Sequence, residues 1–147
     1  MDISGHALRG HAHWVMGVSF SLDGAMLASA SYDRSVRVWD VTQKRPLHVF
    51  NGHKDRVTSV CFLTRRGKGE GNGEEEDCEF VASGSYDKQI KIWDLKTGKS
   101  HGASEALASH AAEIKSVCAG GRGLGGERGH TFIASVGSHR KVVLHRI

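Results

Sequence analysis

The sequence has little of what a membrane protein, a disulfide framework or a secreted protein requires. Its 147 residues include one proline and three cysteines, and no two cysteines form a Cys-x-x-Cys pair. An odd number of unrelated cysteines favours a reducing compartment, so we expect a cytoplasmic or nuclear protein. No apolar run approaches the roughly 20 residues of a membrane-spanning helix, so no membrane partner is expected. The first residues also lack the basic and apolar regions of a secretory signal.

Concentrated charge of one sign is lacking as well. The formal net charge of +4 arises from 20 Lys and Arg residues against 16 Asp and Glu residues, which are scattered along the chain. A nucleic-acid-binding surface needs cationic side chains clustered on one face, so direct binding of nucleic acid is not expected. A nucleic-acid-associated subunit in RNA processing or chromatin remains an alternative function, which depends only on the basic balance.

The chain does contain a segment that occurs twice. Ser31–Asp40 and Ser85–Asp94 both begin with Ser-Tyr-Asp and end with Trp-Asp, and the positions between exchange similar residues. Such self-similarity predicts a fold that is built by repeating one unit. Short runs with apolar residues at alternate positions surround each copy and are separated by turn residues, which is the pattern of β-strands.

These patterns predict an all-β chain with about three repeats. Repeat 1 covers about residues 8–50, repeat 2 about residues 51–108, and a degenerate repeat 3 about residues 109–147. Within repeat 2, residues 64–78 are rich in glycine and charge and predict a flexible hairpin loop. The predicted strands are residues 14–20, 26–31, 35–41, 46–50, 57–62, 80–85, 89–95, 114–118, 132–137 and 141–147.

The first two repeats resemble the WD40 repeat family. Each has a Gly-His pair ahead of its first strand and a Trp-Asp pair at the end of its third strand, at residues 10–11 with 39–40 and at residues 52–53 with 93–94. The resemblance implies a β-propeller, in which four-stranded blades surround a central channel. It also implies a group of four hydrogen-bonded side chains in each repeat, here called a tetrad. The implied tetrads are Trp39, Ser29, His11 and Asp33, and Trp93, Ser83, His53 and Asp87.

The serine, histidine and aspartate of a tetrad are also the residue types of a hydrolase triad. Because they recur in each repeat beside a tryptophan, we expect a structural role and no enzyme activity. The segment Thr97–Ser100 ends like a phosphate-binding loop, but Trp93 stands where the first glycine of that loop is required. The histidines show no zinc-binding spacing with cysteine, so no metal or cofactor is expected.

The number of repeats bears on whether a propeller closes. Repeat 3 keeps His110 and Ser135, but His145 and Arg146 replace the Trp-Asp pair, so no third tetrad is expected. Propellers have about four to eight blades, whereas three are encoded here. An outer strand is predicted for Ile3–Leu8, ahead of the first complete repeat. We therefore expect a partial propeller: either a fragment of a larger chain with further WD40 repeats, or one half of a two-copy, six-bladed ring in which each copy lends Ile3–Leu8 to the other.

The resemblance implies a non-catalytic scaffold that binds proteins or peptides on one face of the propeller. Aromatic and arginine side chains dominate interface energies, and the loops of this face contain several of them. The expected partner-binding residues are Trp14, Tyr32, Lys54, Arg56, Tyr86 and Glu113. An alternative is a substrate-receptor subunit of a cullin-type ubiquitin ligase, because residues 93–96 partly resemble the element by which some WD40 proteins dock onto such ligases.

The cysteines are expected to differ in exposure. Cys61 and Cys118 occupy the same strand position as Ser19, so we expect both to be small buried residues. Cys78 lies in the predicted flexible loop of repeat 2 and is the candidate for an exposed, oxidisable thiol.

Overall fold

The chain folds into strands and turns. The computed structural model describes residues 5, 7–66, 77–100, 111–120, 132–138 and 141–146, with the backbone alone for residues 64–66 and 77–79. The prediction of an all-β fold is confirmed for these residues. Their strands are β1 (Val15–Phe20), β2 (Met26–Ser31), β3 (Ser35–Asp40), β4 (Arg45–Asn51), β5 (Val57–Arg66), β6 (Asp77–Ser85), β7 (Ile90–Asp94), β8 (Lys99–Ser100), β9 (Ile114–Gly120), β10 (Phe132–Gly137) and β11 (Val142–Arg146).

The strands form three antiparallel sheets, which we call blades 1, 2 and 3. Blade 1 has the strand order β1-β2-β3-β4, blade 2 has β5-β6-β7-β8, and blade 3 has β11-β10-β9. Each strand pairs with its neighbour along the chain, so every blade is a meander. Because successive side chains of a strand point to opposite faces, each blade presents one set of residues to the blade before it and another set to the blade after it.

The hairpin of β5 and β6 extends into residues 64–78, for which a flexible loop was predicted. β5 continues to Arg66 and β6 begins at Asp77, and these two residues pair. The polar sequence shows no strand alternation there, since a hairpin end that leaves the core needs no buried face. The rest of the predicted loop, residues 67–76, lies outside the described residues. So do residues 3, 4 and 6 of the predicted outer strand Ile3–Leu8, and its described residues 5, 7 and 8 are not in a strand.

Two hydrophobic clusters lie between neighbouring blades. The first joins blades 1 and 2 and contains Val36, Val38, Phe50, Val57, Val60, Val81 and Trp93. The second joins blades 2 and 3 and contains Ile90, Ile92, Ile114, Val117 and Ile133. Full burial of an aliphatic side chain contributes about 1.5–3 kcal/mol, so the blades stabilise one another. This agrees with the general behaviour of repeat proteins, in which each unit contacts its neighbours.

The junction between blades 2 and 3 depends on a small residue and on a polar bond. A Cβ atom added at Gly84 would lie 2.6 Å from Cγ2 of Ile114 and 2.9 Å from Cγ1 of Val117. Any larger residue would therefore push the blades apart. The hydroxyl of Thr58 donates to the carbonyl oxygen of Ile114 at 2.7 Å, which ties β5 to β9. Shape and hydrogen bonding together specify this junction.

The exposure of the cysteines corrects one prediction. Cys61 and Cys118 are both free thiols, but Cys61 is buried while Cys118 is exposed. Burial and, to a smaller extent, the nearby Cys118 raise the pKa of the Cys61 thiol to about 12. Cys118 pairs with Ala134 on the side of blade 3 that no described sheet covers, and the prediction that it is buried was therefore wrong. The side chain of Cys78 lies outside the described residues.

Candidate functional site

A chain of buried hydrogen bonds joins the third strand of blade 2 to the loop ahead of its first strand. Nε1 of Trp93 donates to Oγ of Ser83 at 2.8 Å, and this Oγ lies 2.8 Å from Nε2 of His53. Nδ1 of His53 lies 2.7 Å from Oδ2 of Asp87. Blade 1 repeats the arrangement with corresponding distances of 2.8, 2.7 and 2.9 Å, in the order Trp39, Ser29, His11 and Asp33.

The aspartate at the end of each tetrad also holds the turn between the second and third strands. Asp33 accepts hydrogen bonds from the backbone N–H groups of Ala12 at 3.0 Å and Ser35 at 2.9 Å. Burial works to raise the pKa of Asp33, but hydrogen bonds from Ser35, Ala12 and His11 outweigh it and hold this pKa well below its usual range. Each carboxylate therefore ties the loop ahead of the first strand to this turn.

Asp87 has the same role in blade 2. Burial again works to raise its pKa, but the hydrogen bond and charge of His53, with the backbone N–H of Lys54, lower the pKa below its usual value. The N–H of Lys54 lies 2.9 Å from Oδ2 of Asp87. The two turns also have a left-handed backbone conformation at the same position, where φ is 70° for Arg34 and 69° for Lys88. The repeated sequence thus produces a repeated local geometry.

The hydrogen-bond distances within the tetrads match those of a catalytic triad, but the serine hydroxyl is not accessible to a substrate. Ser83 is fully buried, and its Oγ accepts the N–H of Trp93. A nucleophilic serine must present its Oγ to a substrate. In the tetrad the hydroxyl instead satisfies an indole donor that would otherwise be buried without a partner. The hydrogen bonds of the tetrad hold the neighbouring loops in place.

Blade 3 contains a two-residue remnant of a tetrad that the sequence analysis missed. His145 pairs with Ile133 as Trp93 pairs with Val81, so it occupies the position of the tryptophan. Its Nε2 lies 3.1 Å from Oγ of Ser135. Burial lowers the pKa of His145. The sequence contained a signal for this bond, because a histidine stands at the tryptophan position and an imidazole can hydrogen-bond a serine hydroxyl as an indole does. His110 lies outside the described residues.

We expect acid to destabilise the protein through the tetrad carboxylates. The pKa of Asp87 is lowered from an ordinary value of 3.8, so its stabilising contribution is complete above that pH and is lost as the pH falls through the folded-state pKa. Asp87→Asn should lower the free energy of unfolding by about 1–3 kcal/mol at pH 7 and flatten its decline below pH 4. Urea titrations between pH 7 and pH 2.5 measure both. The exposed Asp55→Asn is the control, and an unchanged decline in Asp87→Asn would contradict the expectation.

A row of aromatic and cationic side chains runs along the loops beside the tetrads. The ring centroids of Trp14 and Tyr32 lie 5.9 Å apart. The guanidinium of Arg56 lies 4.9 Å from the ring centroid of Tyr32 and 5.7 Å from that of Tyr86. Nζ of Lys115 lies 4.1 Å from the ring centroid of Tyr86. The three distances from a cation to a ring are within the range of cation–π attraction. We call this row of five residues the aromatic–cationic ladder.

The repeat positions the ladder. Tyr32 and Tyr86 occupy equivalent turns, in which the N–H of Tyr32 donates to the carbonyl of Trp14 at 2.9 Å and the N–H of Tyr86 to that of Arg56 at 3.0 Å. Trp14 and Arg56 are therefore equivalent as well. Packing of blade 2 on blade 1 then places Arg56 against both tyrosine rings, whose centroids lie 6.5 Å apart, and packing of blade 3 brings Lys115 to the second ring.

Four of the six expected partner-binding residues belong to the ladder, and they are Trp14, Tyr32, Arg56 and Tyr86. Glu113 adjoins it, since its carboxylate lies 3.3 Å from Nζ of Lys115. The side chain of Lys54 is exposed nearby. The structure therefore brings the expected residues into one region of the surface.

Two members of this region were missed by sequence reasoning. Lys115 donates from Nζ to the hydroxyl of Tyr86 at 2.5 Å. The ring of His13 lies 5.3 Å from that of Trp14 and 5.6 Å from that of Tyr32. Both residues lie one or two positions away from those that the resemblance assigns. Their contacts depend on neighbouring loops and blades, which no short motif encodes.

Positive charge predominates around the ladder. The exposed cationic side chains in its loops and strands are Arg34, Lys54, Arg56, Lys88 and Lys115. The acidic neighbours outside the tetrads are Asp55 and Glu113, and the exposed pair of Arg56 and Asp55 at 3.9 Å contributes little. With Asp33 and Asp87 of the tetrads included, these loops and strands still carry more cationic than acidic side chains.

The described residues hold no group of three or more His, Cys, Asp and Glu side chains that could bind a metal ion. Nor do they include a helix that is long and apolar enough to cross a membrane. The chemistry that the described surface does present is hydrogen bonding, aromatic stacking and positive charge.

Comparison with known proteins relates the blades to a widespread repeat. The family model described as "WD domain, G-beta repeat" matches residues 3–40, 44–67 and 75–94, and it ends ahead of the blade that lacks a Trp-Asp pair. Nuclear distribution protein nudF 2 of Penicillium rubens is 32% identical over 73% of this chain and 24% of its own length. Cell division control protein 4 of Saccharomyces cerevisiae is 35% identical over 76% of this chain and 12% of its own length. Pre-mRNA-processing factor 17 of Homo sapiens is 33% identical over 64% of this chain and 14% of its own length. The aligned region is thus a quarter or less of each of these relatives.

Proposed function

Because the chain belongs to the WD domain, G-beta repeat family, we propose that it is a non-catalytic scaffold that binds other proteins through the aromatic–cationic ladder. The ladder is the observation that carries this proposal. It combines aromatic rings with arginine, which are the side chains that dominate binding energy at protein interfaces. The tetrads hold the loops that carry it, so the ladder is pre-organised, and pre-organisation lowers the entropic cost of binding.

The ligand that we propose is an acidic peptide segment of a partner protein. The planar guanidinium of Arg56 is suited to bidentate contact with a carboxylate, and its contacts with the rings of Tyr32 and Tyr86 limit its motion. Lys115 adds a second cation, whose Nζ donates to the hydroxyl of Tyr86. Trp14 is 70% exposed and offers apolar area to a side chain next to the acidic residues.

A cytoplasmic or nuclear location is part of the proposal. It is supported by the free thiols of Cys61 and Cys118, which suit a reducing compartment. Relatives named for nuclear distribution and for pre-mRNA processing also support it.

The ligase-receptor hypothesis depends on the segment after β7. Trp93 belongs to a tetrad, and Asp94 accepts the backbone N–H groups of Lys96 at 2.7 Å and Thr97 at 3.2 Å, so both have structural roles. Docking to a ligase would therefore depend on Lys96. Co-purification of a ligase adaptor that is lost on Lys96→Asp would favour this hypothesis.

The nucleic-acid hypothesis is removed if a gel shift shows no retardation at low salt.

Affinity purification with mass spectrometry tests the proposed function. We expect a variant with Trp14, Tyr32, Arg56 and Tyr86 changed to alanine to lose its protein partners. The matched control changes exposed residues in other turns, Thr42→Ala with Thr97→Ala, and should keep them. Circular dichroism establishes that both variants fold, and the milder pair Arg56→Glu with Lys115→Glu replaces the fourfold variant if it does not. An unchanged set of partners would reject this surface.

A further inference from the structure

The two tyrosines of the ladder differ at their hydroxyl groups. Nζ of Lys115 lies 2.5 Å from the hydroxyl of Tyr86. Within the described residues no side chain bonds the hydroxyl of Tyr32, although Arg56 contacts the rings of both tyrosines. The two tyrosines occupy equivalent turns, so the difference comes from the neighbouring blade and not from the turn. The chain thus contains one ladder tyrosine with a cation at its hydroxyl and one without.

The register of the strands shows why the two junctions differ. Lys115 follows Ile114, which pairs with the last residue of β10. Thr58 follows Val57, which pairs with the last residue of β6. Lys115 and Thr58 are therefore equivalent in β9 and β5. The short side chain of Thr58 donates to the carbonyl oxygen of Ile114 in the following blade, whereas the longer side chain of Lys115 extends to Tyr86 in the preceding blade.

The bond between Lys115 and Tyr86 has only one possible direction. An ammonium group has donors and no acceptor, so the hydroxyl of Tyr86 accepts this bond. Its own proton then remains for another acceptor, which none of the described residues provides. A hydroxyl that accepts a bond from a cation becomes a stronger donor, because hydrogen bonds in a chain polarise one another. The hydroxyl of Tyr86 is therefore a polarised donor that a ligand can use.

Glu113 holds Lys115 in this position. Its carboxylate lies 3.3 Å from Nζ of Lys115, and the two side chains are 46% and 45% exposed. An exposed ion pair contributes little to stability, but this one restrains the ammonium at a second point. The hydrogen bond with Tyr86 and, to a smaller extent, the contact with Glu113 raise the pKa of Lys115. The charge of Lys115 is thus already balanced within the protein.

Arg56 differs from Lys115 in this respect. Its guanidinium contacts the rings of Tyr32 and Tyr86, while Nε lies 3.9 Å from the carboxylate of Asp55, which is beyond hydrogen-bond distance. In the part of the chain that the structure describes, the guanidinium donates no hydrogen bond. Because Arg56 contacts the ring of Tyr86, the N–H donors of one and the hydroxyl donor of the other belong to the same patch of the surface.

We propose that Arg56 and the hydroxyl of Tyr86 together bind the carboxylate of an acidic ligand residue, and that Lys115 is a positioning residue which acts through this hydroxyl. This binding mode rests on the proposed function, because it describes how the ladder holds an acidic peptide. The oxygens of a carboxylate have lone pairs for both donors at once. Arg56 provides the charge, and Tyr86 provides a directional bond. Tyr32 contributes its ring alone.

Titration of a glutamate-rich peptide into the full 147-residue chain tests this binding mode. Tyr86→Phe removes one oxygen atom and keeps the ring that Arg56 contacts, and we expect it to weaken binding about tenfold. Tyr32→Phe, in the equivalent turn, is the matched control and should change the affinity by less than about twofold. Calorimetry measures Kd, and circular dichroism establishes that both variants fold. Equal effects of the two substitutions, or no effect of Tyr86→Phe, would overturn the binding mode.

A double-substitution cycle separates positioning by Lys115 from attraction by its charge. If Lys115 acts through the hydroxyl, Lys115→Met should weaken binding about fivefold alone and less than about twofold in the Tyr86→Phe background. Lys115→Arg keeps a cationic donor and should restore most of the affinity. A loss of the same size in both backgrounds would show that Lys115 acts on the ligand by its charge, and its positioning role would then be wrong.

The result for Arg56→Ala shows which proposal fails. If Arg56→Ala weakens binding of the peptide and Tyr86→Phe does not, the ladder binds the peptide without the hydroxyl, and only this binding mode is wrong. If neither substitution weakens binding, or if the unsubstituted chain does not bind the peptide, the proposed acidic ligand is wrong and the binding mode fails with it.

Discussion

Replacing Trp93 by alanine is expected to lower the free energy of unfolding by about 3–5 kcal/mol. The side chain is 2% exposed, and its ring stacks on Phe50 of blade 1 with a centroid distance of 5.1 Å. Its N–H also ends the blade 2 tetrad at Ser83. The substitution therefore opens a cavity between two blades and removes a buried donor. Urea unfolding followed by circular dichroism measures the loss.

Trp39→Ala is the matched control for this prediction. Trp39 is equally buried and makes the same 2.8 Å bond to its serine, but it lies on the side of blade 1 that no described sheet covers. We expect its loss to be smaller by about 1 kcal/mol, the contribution of aromatic stacking beyond burial. Equal losses would show that the stacking of Trp93 on blade 1 adds nothing to stability.

Trp93→Phe separates the two effects of the alanine substitution. It keeps an aromatic ring against Phe50 but removes the indole N–H. We expect a loss of about 1–2 kcal/mol, because the cost is then mainly that of one buried hydrogen bond and a smaller ring. A loss as large as that of Trp93→Ala would mean that the tetrad bond, and not the packing between blades, accounts for the effect.

Replacing Arg56 by alanine is expected to weaken binding of an acidic peptide by about 30-fold, which corresponds to the roughly 2 kcal/mol of an interface hot spot. Arg56 lies at the centre of the ladder and contacts both Tyr32 and Tyr86. Its loss removes the charge that meets the ligand and the side chain that contacts both rings. Titration of a glutamate-rich peptide, followed by the fluorescence of Trp14 and by calorimetry, measures the dissociation constant.

Two substitutions make this prediction specific. Arg56→Lys keeps the charge but loses the planar donor group, so we expect an intermediate affinity. Lys54→Ala removes a neighbouring exposed cation outside the ladder, and we expect a change of less than about threefold, as for an exposed charge. If Lys54→Ala and Arg56→Ala weaken binding equally, net charge and not the stacked arrangement governs binding.

Strand prediction succeeded where the pattern is local. β2 and β10 begin and end at the predicted residues, because apolar alternation and turn residues are properties of neighbouring positions. The ends of β5 and β6 were not predicted, since the residues beyond the core there are charged and carry no alternation. Their pairing depends on one strand meeting the other, as in the contact of Arg66 with Asp77.

The residues of the candidate site likewise fall into those that the repeat pattern predicted and those that it did not. The tetrad residues and the tyrosines recur at equivalent positions of two repeats, so their grouping was visible in the sequence. Lys115 and His13 have no such recurrence, and their contacts with Tyr86 and Tyr32 arise from the way in which neighbouring loops and blades meet. The His145 bond to Ser135 was hidden because a different residue type fills the tryptophan position.

The sequence by itself determined the blade: its strands, its turns and its tetrad, because these depend on short-range alternation and on motifs at repeated spacings. The tertiary structure alone decided which faces of the blades are covered. Val18 and Val60 have the same residue type and the same register, yet only Val60 is buried, because a blade precedes it. Cys118 and Cys61 differ for the corresponding reason on the other side. Burial is a property of the neighbouring blade, and a repeat sequence specifies each blade without specifying how many blades surround it.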